Sequence, residues 1–144
     1  MIRILVIEDD PSVGAAIRLT LAREGGETIH VDGAYAGIRM FESANFDLVI
    51  VDLFMPEMNG LQIISEVRAR APTMPIIAMS GFRFRDSMDS SLDFLGMAVK
   101  AGATTVLPKP FKPSQLTAAV EASLRQAPPD IHRVQIGNQK KELP

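Results

Sequence analysis

Ile4-Leu5-Val6-Ile7-Glu8-Asp9-Asp10-Pro11 begins as an unbroken apolar run and stops abruptly on three acids. A run without polar alternation, rich in β-branched residues, marks a strand buried on both faces. Pro11-Ser12 then opens a helix whose apolar residues Val13, Ile17 and Leu21 recur every four positions, and Gly25-Gly26 stops it. Working outward, the same unit returns. Thr28 to Val31 reads as a second strand, Asp32-Gly33 as a turn, and Ala34, Ile38 and Phe41 as the next buried helical stripe. Leu48-Val49-Ile50-Val51 is a third strand that also ends on an acid, Asp52. The loop Met55-Pro56-Glu57-Met58-Asn59-Gly60 leads into a helix with Leu61, Ile64 and Val67 inward. Ile76-Ile77-Ala78-Met79 is a fourth strand ending at Ser80-Gly81, followed by a long polar stretch and a helix around Leu92, Leu95 and Val99. Thr104 to Leu107 is a fifth strand, and Leu116, Val120 and Leu124 mark a last helix. Pro108 cannot donate to a ladder, which agrees with this fifth strand being a sheet edge. Strand and helix alternating in this way imply an α/β domain, a parallel sheet with helices on both faces.

The composition narrows the function. The chain has 144 residues, 15 Lys+Arg against 17 Asp+Glu, and no cysteine. That length suits one domain with a substantial core. A net charge of −2 argues against a nucleic-acid binder and against an anionic membrane surface. Without cysteine there is no disulfide framework, thiolate metal site or Cys nucleophile. The apolar runs fall well short of the roughly 18 residues of a membrane span. Met1-Ile2-Arg3 reaches acids by Glu8, leaving no room for a signal-peptide core. A cytoplasmic protein is expected.

Parallel sheets bind ligands beyond the carboxyl ends of their strands. Here those ends carry Glu8-Asp9-Asp10, Asp52, Ser80 and, two residues past strand five, Lys109. Gathered carboxylates repel one another, and burial raises their pKa unless a cation offsets them. Oxygen-only ligands with open water positions suit Mg²⁺, and Lys109 brings a second positive charge. A carboxylate beside both can attack phosphorus and form an acyl phosphate, with the cations stabilising the transferring group.

These segments resemble the receiver domain of two-component response regulators over residues 2–126, with 127–144 as a flexible C-terminal tail. The resemblance rests on Ile4 to Pro11, Val51-Asp52-Leu53-Phe54-Met55-Pro56-Glu57-Met58-Asn59-Gly60, Met79-Ser80-Gly81, and Lys100-Ala101-Gly102-Ala103 leading to Lys109-Pro110-Phe111. Each alone is a weak signal; four in order, each at a strand end, are specific. The resemblance implies a flavodoxin-like doubly wound sheet of order 2-1-3-4-5. It makes Asp52 the phosphoacceptor, served by a histidine kinase or phosphotransfer protein. Asp9 matches the direct Mg²⁺ ligand, Glu8 the acid acting through water, and the Phe54 main-chain carbonyl a further ligand. Ser80 matches the hydroxyl that turns toward the phosphoryl group, and Lys109 the lysine that pairs with it. Lys109-Pro110 is then expected to be cis. Asp10, before Pro11, fits a helix cap better than a ligand.

Three departures from that family stand out. Val106 occupies a switch position that usually holds an aromatic ring or His, so coupling is expected to run mainly through Ser80 and its loop. The segment from Ser80 to Lys109 is roughly seven residues longer than usual, unlike most short connections; a partner-specific surface within Gly81 to Gly96 is expected. Phe54 and Phe82 offer no polar group to orient water, which predicts a long-lived phosphoryl state. Phe82-Arg83-Phe84-Arg85 lacks the wider basic patch of a nucleic-acid site.

Competing readings have specific weaknesses. An aspartate-nucleophile phosphohydrolase needs a second acid where Phe54 stands. A flavin protein would not place acids after strand one, where they repel a phosphate. A phosphorylation-independent interaction module finds support only in Val106. The short tail points to a stand-alone receiver, with a fragment of a longer regulator as the alternative. Its output is expected to be a downstream protein contact or onward phosphotransfer, with homodimerisation open and no direct DNA binding.

Overall fold

A computed structural model describes residues 1–81 and 96–126. It contains β1 (Arg3–Ile7), α1 (Pro11–Arg23), β2 (Glu27–Val31), α2 (Ala34–Ser43), β3 (Leu48–Asp52), α3 (Gly60–Arg70) and β4 (Ile76–Ser80). A helical segment over 96–101, here α4, precedes β5 (Thr105–Pro108) and α5 (Pro113–Gln126). The sheet order is β2-β1-β3-β4-β5, and every neighbouring pair is parallel. The expected order is therefore the observed one, and β5 lies at an edge.

Continuous apolar runs are explained by the two layers they serve. Leu5, Ile7, Val49, Val51, Ile76 and Ala78 join Ala34 of α2, Ile63, Ile64 and Val67 of α3, and Ala98 of α4. The alternate residues Ile4, Val6, Leu48, Ile50, Ile77 and Met79 join Ile17 and Leu21 of α1 and Leu116, Ala119 and Val120 of α5. Successive strand side chains point to opposite faces, so each strand must be apolar throughout. This two-sided burial leaves only the strand ends for polar chemistry.

Some sequence expectations need correction. Strand β2 starts at Glu27, one residue early, and Ile63 joins Ile64 in the core. Val99 is 56% exposed, whereas Ala98 is fully buried. Neighbours on a helix point about 100° apart, so a core-facing Ala98 turns Val99 outward despite its larger apolar side chain. Leu92, Leu95, Phe82, the long segment after Gly81 and the tail from 127 lie outside the described residues. No helix of the described residues is long and apolar enough to cross a membrane. Gly14 is buried in the interior of α1, where glycine costs about 1 kcal/mol relative to alanine.

Candidate functional site

The charged residues of the site cluster at the carboxyl ends of β1, β3 and β5. Glu8 follows β1; its N–H donates to the Val31 carbonyl at 3.0 Å, and its side chain is 1% exposed. Asp9 comes next and is exposed. Asp52 is the last residue of β3 and is 4% exposed. Lys109 follows β5, with its N–H donating to the Ser80 carbonyl at 2.8 Å. The β4–β5 pairing thus carries the lysine to the buried end of β4, where Ser80 is also buried. The Lys109-Pro110 peptide is cis.

Lys109 Nζ donates to Glu8 Oε1 at 3.0 Å, Glu8 Oε2 at 2.9 Å and Asp52 Oδ2 at 3.3 Å. The other Asp52 oxygen, Oδ1, accepts from the Phe54 N–H at 3.1 Å. Carboxylate oxygens of Glu8, Asp9 and Asp52 all lie within 4.8 Å of one another. One ammonium therefore faces two buried acids, with a third acid at the rim. Burial, and then the neighbouring Asp52 carboxylate, push the Glu8 pKa up to about 7, against the pull of Lys109. The pocket holds less positive charge than its carboxylates call for, which fits a divalent cation held through oxygen.

The loop after Asp52 is tied down at three points. The Gly60 N–H donates to the Leu53 carbonyl at 2.8 Å. A Cβ on Gly60 would lie 2.4 Å from Leu53 Cα and 2.6 Å from the Asp52 carbonyl oxygen, so only glycine lets α3 start this close. Asn59 and Gln62 form a reciprocal capping box on α3. Glu57 reaches across to accept from the Ala34 N–H at 3.1 Å, capping α2 where Gly33 has no side chain to do so.

Receiver-domain sequences fit this chain over most of its length: the family model for the response regulator receiver domain matches residues 4–121. The chain belongs to that family. DNA-binding response regulator MtrA of Mycolicibacterium smegmatis is 33% identical over 124 residues, which cover 86% of this receiver and 51% of MtrA. A solved receiver domain protein from Clostridium thermocellum has a TM-score of 0.74 at 29% identity, covering 87% of this chain and 95% of its own. A CheY-like receiver domain protein from Methanospirillum hungatei has a TM-score of 0.78 at 26% identity, covering 87% and 94%. The receiver spans about half the length of the curated relatives it matches.

Of the residues singled out in the sequence, Glu8, Asp9, Asp52 and Lys109 converge in this receiver. Phe54 touches Asp52 through its N–H, and Ser80 holds Lys109 through its main chain. Asp10 stands apart as the cap of α1, accepting from the N–H groups of Ser12 at 2.9 Å and Val13 at 3.4 Å. Two residues behind the site escaped the sequence reading. Glu57 lies in a loop motif, and nothing local shows that it caps a helix 23 residues earlier in the chain. His30 lies in β2 with its Nε2 2.7 Å from the Glu8 carbonyl oxygen, and a lone histidine in a strand carries no local signal of that contact.

Proposed function

We propose that this receiver accepts a phosphoryl group on Asp52 from a histidine kinase or phosphotransfer protein. The observation that carries this reading is the Asp52 carboxylate, held by the Phe54 N–H on one oxygen and facing Lys109 with the other. In the transfer, an Asp52 oxygen attacks phosphorus, the bond from phosphorus to the donor nitrogen breaks, and the imidazole leaves. An acyl phosphate results. Lys109 is near enough to Asp52 to pair with the added oxygens, releasing Glu8 from part of its present contact. Glu8, Asp9, Asp52 and the Phe54 carbonyl would hold Mg²⁺, which when bound supplies the positive charge that neutralises acids and phosphoryl oxygens together. Water later attacks phosphorus and frees inorganic phosphate with the Asp52 carboxylate restored. These two self-directed steps are the only catalysis assigned to the chain.

The domain is assigned to residues 2–126 with 127–144 as an appended segment, in the cytoplasm. Ser80, buried beside the site, is the hydroxyl that turns toward the phosphoryl group. Val106 packs against the layer that includes α3 and α4 and brings no ring to swing, so Ser80 and its loop carry the response. The state is read by protein contact or onward phosphotransfer. Incubation with a small phosphodonor and Mg²⁺ should label the wild-type chain and leave Asp52→Asn unlabelled. An unlabelled wild type, or equal labelling of the variant, rejects the reading.

A further inference from the structure

We propose that His30 is a positioning residue of the acidic site, and that Gly14 is the space that allows it to act. The proposal rests on the reading of Glu8 and Asp9 as part of a Mg²⁺ site. His30 lies in β2, yet its Nε2 is 2.7 Å from the main-chain carbonyl oxygen of Glu8. A carbonyl can only accept, so Nε2 carries the proton and donates. That carbonyl belongs to the peptide bond joining Glu8 to Asp9. The peptide is planar, so a bond to its oxygen sets the orientation of the unit between the two acids.

The hold comes where the ladder ends. The last β1–β2 partners are Ile7 and Val31, and Glu8 adds one further N–H bond to the Val31 carbonyl. Past that point the imidazole takes over as the partner of the Glu8 carbonyl. The Glu8 carboxylate has its own anchor in Lys109. Exposed Asp9 has no comparable anchor among the described residues, so its placement depends more on the peptide before it.

Gly14 makes the arrangement fit. A Cβ on residue 14 would lie 2.2 Å from His30 Cε1, 2.4 Å from Nδ1 and 2.5 Å from Nε2. The ring occupies the volume that any side chain on that helical position would fill. An unfavourable glycine inside α1 is thus matched to one imidazole and one carbonyl. A half-buried histidine serving only as filler would not explain why its Nε2 meets that carbonyl.

Calorimetric Mg²⁺ titration of the full chain tests this, using His30→Ala, His30→Gln, Gly14→Ala and the double variant Gly14→Ala with His30→Ala. Removing the ring should weaken Mg²⁺ binding about tenfold, the lower end for a group that orients a ligand from behind. Glutamine, whose amide nitrogen can replace Nε2, should recover most of that loss. Gly14→Ala should weaken binding by pushing the ring away. The double variant should be no weaker than His30→Ala, because both changes act through one hydrogen bond. It should also melt higher than His30→Ala, since alanine favours the helix and fills the gap, separating stability from metal affinity. Only two histidines occur in the chain, so the ¹⁵N spectrum of the His30 ring gives a second readout, with Nε2 protonated.

Unchanged Mg²⁺ affinity without the ring overturns the proposal. So do additive losses in the double variant, a glutamine variant as weak as alanine, or an unprotonated Nε2. A wild type that binds no Mg²⁺ overturns the metal-site reading as well, which distinguishes the two failures.

Discussion

Each end of the sheet has a cation paired with carboxylate, and the two behave differently. At the amino end, Arg3 meets Glu27 at 3.3 Å with side chains 37% and 50% exposed. Its guanidinium also donates to the Asn45 carbonyl and lies over the Phe46 ring. At the carboxyl end, Lys109 meets Glu8 at 2.9 Å with side chains 15% and 1% exposed. Solvent screens the first pair and leaves it close to neutral for stability. Burial makes the second a source of electrostatic strain, because Asp52 adds a charge that one lysine does not balance. Both ends pair a basic side chain with a glutamate, so burial, set by position in the fold, accounts for most of the difference.

Removing Lys109 should break the contrast most sharply. Lys109→Met leaves Glu8 and Asp52 facing each other in a buried pocket and should cost about 3 kcal/mol in metal-free urea unfolding near neutral pH. Added Mg²⁺ should return part of it. A loss no larger than that of an exposed pair would show that the lysine is not compensating buried charge.

The pH dependence comes next. Glu8 ionises near its ordinary value of 4.5 when unfolded and near 7 when folded. Its contribution to stability is therefore complete below about 4.5 and is lost as pH rises through about 7. Metal-free protein should lose stability across that window, and Glu8→Gln or saturating Mg²⁺ should flatten the loss. A urea midpoint that climbs over the same range in metal-free wild type, with no difference in Glu8→Gln, would contradict this.

Asp52→Asn should move stability the opposite way from Lys109→Met. It removes the carboxylate that repels Glu8, so the metal-free variant should gain about 1 kcal/mol while losing phosphorylation. A destabilised variant would place the cost of the site elsewhere. The smallest effect belongs to Arg3. Arg3→Met should cost less than about 1 kcal/mol, with the ion-pair part fading in salt. Thermal melts at low and high ionic strength measure it; a loss approaching that of Lys109→Met would erase the distinction between the two ends.

Much of this is legible in the sequence alone. Ile4 to Ile7, Leu48 to Val51 and Ile76 to Met79 could only be strands covered on both faces, and acids at their ends could not be core. Glu8, Asp52 and Lys109 stand out because a parallel sheet directs the carboxyl ends of its strands to one edge. Burial assignments within a helix were harder. Val99 outweighs Ala98 in hydrophobicity, but the direction of α4 decides which of them meets the sheet. Adjacent acids were harder still. Glu8, Asp9 and Asp10 differ little in sequence, yet one is buried against Lys109, one reaches the rim, and one caps α1.

By itself, the sequence determined the layer architecture and the set of charged groups gathered at one edge, because periodicity and strand ends are local properties of the chain. Only the tertiary structure decided that Glu8 is driven toward neutrality, that Glu57 caps a helix from another loop, and that His30 fills the place of a side chain at Gly14. Those outcomes depend on which atoms approach from distant parts of the chain and how much water they displace, and no local pattern records that.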